Sequence, residues 1–200
     1  MDTTIARRAS AVAAFAAAAI LAGLIVSLAG GSMPDPALLD TLSIGTAAGA
    51  LVVLVLAYAI APASGWSHAG RALGVSGMTL ILAGDALQAV ATRASSDAAL
   101  LWSVAFVIRD GIGNGLVYAS LLVLGLLLLP RHRWVGGLAV ANGVLGFLAM
   151  AFAARLGLPP HVNFMLLAAW FVLLGVTWWR SAASTKADDD VRIGAAADAG

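Results

Sequence analysis

The sequence predicts an all-α, multi-pass transmembrane bundle, and three observations carry that prediction. Hydrophobic residues make up 62% of the 200-residue chain, and charged residues only 10%. Mean hydropathy is +0.98. Apolar runs of about 20 residues, the length a helix needs to cross a bilayer, recur between short polar stretches. Soluble domains are about 45–50% apolar and about 25% charged, and a chain of this size lacks the interior volume to hide the surplus. The surplus therefore faces lipid.

Six spans follow in order. The first covers 9–30 and is rich in Ala, Leu, Ile and Val. A polar stretch with Pro34 and Pro36 precedes the second span, 41–61, which Pro62 ends. Residues 63–71 read as a loop and 72–92 as the third span. The next apolar block, 98–129, is interrupted by Arg109 and Asp110. As one helix it would measure about 48 Å, against a hydrocarbon core of about 30 Å. The fourth span is accordingly expected at 111–129, with 98–108 as a short segment on the outer surface or re-entrant. The fifth and sixth spans cover 135–154 and 162–179. Residues 1–8 form a cytoplasmic N-terminus, and the polar, Asp-rich stretch 181–200 is expected to be a disordered cytoplasmic tail.

Orientation follows from the basic residues. With the N-terminus inside, Arg7, Arg8, Arg71, Arg131, Arg133, Arg180, Lys186 and Arg192 fall on the inner side; Arg93, Arg155 and Arg109 fall on or near the outer side. That bias obeys the positive-inside rule. Trp66, Trp134, Trp178 and Trp179 are expected to form an aromatic belt at the inner boundary. Both termini are thus expected in the cytoplasm, with the chain in the bacterial plasma membrane. Arg7-Arg8 before an Ala-rich run also fits a secretory signal peptide, but the run exceeds the usual apolar core of about 7–15 residues. An uncleaved first span is the reading adopted; cleavage would leave five spans in the same orientation.

Composition excludes several functions. Net charge is +1, so no basic face invites nucleic acid. The chain has no cysteine and no glutamate, which removes thiolate catalysis, iron–sulfur ligation and Cys-based zinc sites. His68, His132 and His161 all fall in expected loops, whereas a membrane haem wants histidines within facing helices. No serine elbow, HExxH or Walker motif occurs. No catalytic residue, metal or other cofactor is expected, and the lack of a nucleophile–base pair argues against an enzyme.

Asp85 is the most informative residue. An acid inside a span is costly and marks a functional site by default. By helical rise it lies about 21 Å from Arg71, in the outer half of the membrane. Gly70, Gly74, Gly77, Asp85 and Gln88 share one helical face, the small-plus-polar stripe of a helix–helix contact. Asp85 therefore points into the bundle. Arg109 and Asp110 are expected near the outer interface above it, with Asn114 one turn beyond Asp110. These five, Asp85, Gln88, Arg109, Asp110 and Asn114, form the expected intramembrane polar cluster. The run Gly111-Ile112-Gly113-Asn114-Gly115 lacks the strand and lysine of a phosphate loop and reads as bending or close packing. Asn142 reads as an interhelical hydrogen bond rather than a ligand site.

The expected partners are the lipid bilayer and, through small-residue faces such as Gly45-Thr46-Ala47-Ala48-Gly49, a second copy or a membrane partner. Leu127–Met150, LLLPRHRWVGGLAVANGVLGFLAM, runs from an apolar helix ending in Leu-Pro through a short basic loop into a Trp/Gly-rich span. With Ala169–Gly175, AWFVLLG, it resembles a bacterial family of small six-helix membrane proteins catalogued as domain of unknown function 4386. The resemblance covers about a third of the chain; it implies the same topology, no enzyme activity and no known ligand, so no functional residues carry over from it. The function these readings favour is a structural or accessory membrane component with the polar cluster as glue. The alternative is a small-solute or proton-coupled transporter or sensor with an outward-facing pocket around Asp85 and Arg109.

Overall fold

A computed structural model describes residues 3–29, 36–93, 97–156 and 161–197. Among them every regular element is helical: α1 (Thr3–Ala29), α2 (Pro36–Ile60), α3 (Gly65–Ala91), α4 (Ala98–Phe106), α5 (Asn114–Leu128), α6 (Arg133–Leu156) and α7 (His161–Ala197). A π-helical segment, Val107–Gly113, joins α4 to α5 without a break. Six helical stretches are long and apolar enough to cross a membrane. Between 28% and 39% of each apolar stretch is buried within the bundle, and large side chains such as Val52, Leu126 and Met165 point outward. In water that outward surface would be intolerable; in lipid it needs no partner. The chain is a six-span membrane bundle.

Local sequence sets the helix starts. Pro36 opens α2, where its missing N–H is no loss. Ser64 caps α3 through a capping box: its Oγ accepts from the Ser67 N–H and its own N–H donates to Ser67 Oγ, both at 3.1 Å. Helix α3 thus begins seven residues before the expected third span, so Trp66, His68 and Arg71 are helical rather than in a loop. His161 likewise opens α7 instead of lying in a loop. At the other end α7 continues through the stretch expected to be disordered, as far as Ala197. Its alanines are the best helix formers and carry the polar stretch along. Pro34, Pro159 and Pro160 lie outside the described residues.

The largest departure from expectation is at the fourth span. Ala98–Phe106 is not a separate or re-entrant piece, because the helix runs on through Arg109 and Asp110 for 31 residues, Ala98–Leu128. The length argument assumed that a helix fits the membrane end to end. A tilted or protruding helix satisfies it equally, and the π turns absorb the two charges without ending the helix.

Contacts between elements close the six spans into a ring: α1 packs on α2, α2 on α3, α3 on the fourth span, α5 on α6, α6 on α7, and α7 back on α1. Neighbours run antiparallel. On α3, Gly70 faces Val123, Gly74 faces Ser120, Gly77 faces Val117, and Gly84 faces Arg109. Gly45 and Gly49 face Ile20 and Ala17 of α1, so the GxxxG stripe is occupied inside the chain. Helices α5 and α6 approach closely, since a Cβ at Gly136 would stand 2.6 Å from the Leu129 backbone N. Only glycine permits that approach.

Polar ties hold the ring at the end away from Asp85. Tyr58 of α2 donates to Ser120 O of α5 at 2.6 Å, and Ser120 Oγ donates to Gly70 O of α3 at 2.8 Å. Trp170, fully buried, donates from Nε1 to Val135 O of α6 at 3.1 Å. Arg7 reaches Ser181 O, and Arg8 sits 6.0 Å from the Trp179 ring centroid, joining α1 to α7. Trp66, Trp134 and Trp179 are exposed, as boundary residues are, but Trp178 is 2% exposed and belongs to the core instead of the belt.

Candidate functional site

The stripe on α3 positions the site. Gly70, Gly74, Gly77, Asp85 and Gln88 are all buried on one face of that helix, which turns the carboxylate and the amide toward the fourth span. The glycines let that span come close. A Cβ at Gly84 would lie 2.6 Å from Arg109 Cβ and 3.1 Å from Ala105 O, so the bare backbone there gives Arg109 its room. The π turns act at the same level. Their wider winding shifts the register of everything after Val107 and brings the consecutive residues Arg109 and Asp110 to one wall.

The five expected residues are assembled. Arg109 Nη1 lies 3.1 Å from Asp85 Oδ1 and donates to Gln88 Oε1 at 2.5 Å. Its other edge grips Asp110, Nε to Oδ1 at 3.1 Å and Nη2 to Oδ2 at 3.0 Å, the two-point geometry that favours arginine over lysine. Asn114 Nδ2 donates to Asp110 Oδ1 at 3.2 Å. Asp85 Oδ2 accepts from Ser43 Oγ of α2 at 3.0 Å, a partner the sequence reading did not name.

This cluster borders a cavity of about 340 Å³, within the range of about 300–1,000 Å³ typical of small-molecule sites. Each of the six spans supplies part of its wall: Leu24, Thr46, Met78, Arg109, Asn142 and Phe164 come from successive spans. It lies where α1 and α3 end and where α2, the fourth span and α7 begin. The α2 wall is a helical stripe of Asp40, Ser43, Thr46, Ala47 and Ala50, spaced as one face of a helix. That pattern was visible in the sequence but unremarkable, because short hydroxyl and alanine side chains are common in apolar spans. Trp102 and Tyr118 also line the cavity. Asn142 corrects an expectation. Among the described residues it makes no interhelical bond; its Nδ2 donates to Leu138 O of its own helix at 3.0 Å while the side chain lines the cavity.

Among the described residues no group of three His, Cys, Asp or Glu side chains is placed to hold a metal ion. His68 and His132 are not among the residues that line the cavity. Chemically, the arrangement offers a polar, hydrogen-bonding patch inside an otherwise apolar chamber, in which the Ser43 hydroxyl already donates to Asp85. Compared with protein-family models, with curated proteins and with solved structures, the chain finds no match.

Proposed function

We propose that the chain is a small-solute-binding protein of the bacterial plasma membrane, a transporter or sensor whose pocket opens outward beside Asp85 and Arg109. The carrying observation is the cavity of about 340 Å³ that Asp85, Gln88, Arg109, Asp110 and Asn114 all border. A bundle held together only by polar glue has no need of such a space, since interiors otherwise pack to native density. Both termini lie in the cytoplasm in this reading, on the strength of the basic inner loops. The cavity, at the opposite end of the bundle, then faces outward.

A second reading draws on the direct 3.1 Å contact between Arg109 and Asp85. In that reading the chain is an accessory membrane component, and the ion pair locks α3 to the fourth span.

Cysteine labelling separates the two, and the cysteine-free chain gives it no background. Thr46→Cys on the cavity wall and Val52→Cys on the outward face of α2 are made singly. A membrane-impermeant cationic methanethiosulfonate reagent is then applied to intact cells. Labelling at position 46 from outside, with none at position 52, is the expected result. Folded protein that stays unlabelled at position 46 from both sides contradicts the solute-binding reading and favours the accessory one.

A further inference from the structure

The chemistry of the cavity wall selects a class of ligand. Three carboxylates border the chamber, those of Asp40, Asp85 and Asp110, and among the described lining residues Arg109 is the sole cation. That guanidinium is already committed. Nη1 serves Asp85 and Gln88, while Nε and Nη2 serve Asp110. Arginine has five N–H donors in all, so at most one remains for an incoming anion, which would also meet the acids. Among the described lining residues no cation is left to face Asp40.

A second, independent feature points to an occupant. Thr46, 9% exposed and on the same α2 stripe, carries a buried hydroxyl with no hydrogen-bond partner among the described residues. Buried hydroxyls are ordinarily paired. The rest of the wall is apolar and aromatic, with Trp102, Tyr118 and Phe164 contributing rings. A hard metal ion wants six or more oxygens and gains nothing from such a surface. An ammonium group gains Coulomb attraction from the acids and the attraction of ring faces for cations, and its carbon body fills the apolar part.

We infer that the cavity binds a small organic ammonium ion with an apolar body; this rests on the solute-binding reading above and names its substrate class. Three probes sharing a benzyl body test it: benzyltrimethylammonium, the neutral N-benzylacetamide and the anionic benzylsulfonate. Each is titrated calorimetrically into the full chain in nanodiscs of zwitterionic lipid. The expected result is binding of the ammonium at least tenfold tighter than of either other probe. A fivefold or greater loss of ammonium affinity in Asp40→Asn is also expected, with its elution and helicity unchanged. Equal or tighter binding of the amide or the sulfonate overturns the inference, as does full ammonium affinity in a folded Asp40→Asn. If no probe binds while Thr46→Cys is labelled from outside, the ammonium assignment falls and the solute-binding reading stands. If position 46 is also unlabelled, both fall.

Discussion

At the residue scale, the electrostatics hinge on Arg109. It is the shared counter-charge of Asp85 and Asp110, and its side chain is 28% exposed against 3% for Asp85. Removing it strands two acids in a low-dielectric site, where losing one partner of a buried pair costs on the order of 3–5 kcal/mol. We expect Arg109→Leu to lower stability by that amount, and the double variant Arg109→Leu/Asp85→Asn to recover part of it. Unfolding in mixed micelles of increasing denaturing detergent measures both. A single variant as stable as the parent would remove Arg109 from this role. The five clustered residues were legible in the sequence because a charge or amide stands out against an apolar background and helical spacing says which way it points. Ser43, Thr46 and Asn142 were not, because hydroxyls and lone amides occur in spans for packing as often as for binding.

At the scale of elements, the π segment contains two glycines with opposite surroundings. A Cβ at Gly111 meets nothing within 4 Å, whereas one at Gly113 meets Ile81 Cγ1 at 2.9 Å and Ile108 O at 3.0 Å. Alanine is the better helix former by up to about 1 kcal/mol. Gly111→Ala is therefore expected to be neutral or stabilising within that limit. Gly113→Ala should instead destabilise by about 1–3 kcal/mol, the usual penalty of overpacking. The same micelle titration compares them, and equal effects would mean that this segment does not pack on α3 as described. Element type was readable along most of the chain, but the continuity of the fourth span was not. An extra residue in a helical turn is decided by what the turn must pass, here Gly84 beside Arg109 and Gly77 beside Gly113, neighbours that are far apart in sequence. The early start of α3 was hidden for a different reason. Gly65–Arg71 is polar enough to pass for a loop, and only the Ser64–Ser67 reciprocal cap shows it to be a first turn.

At the scale of the whole molecule, the ring depends on the seam between α1 and α7, where Arg8 meets Trp179 and Phe15 packs against Gly175. With cysteines placed at positions 8 and 179 of the cysteine-free chain, a short bifunctional thiol reagent should give an intramolecular cross-link. Its yield should not change when the protein is diluted in lipid. Cross-linked dimers alone would mean that the seam forms between copies instead of within one. Six-fold span count followed from hydropathy, but closure did not: periodicity shows that a helix has an inward face, not which other helix meets it.

The cavity wall has a thermodynamic corollary. Because each span contributes to it, an occupant that binds only the assembled bundle is linked to all six helices at once. Ligand at a hundred times its dissociation constant adds about 2.7 kcal/mol to the free energy of unfolding. That increment would be spread over the ring as a single cooperative unit, so occupancy would be felt at the Arg7–Ser181 end as well as beside Asp85. A bundle of this kind registers its ligand in how tightly it holds its own ends together.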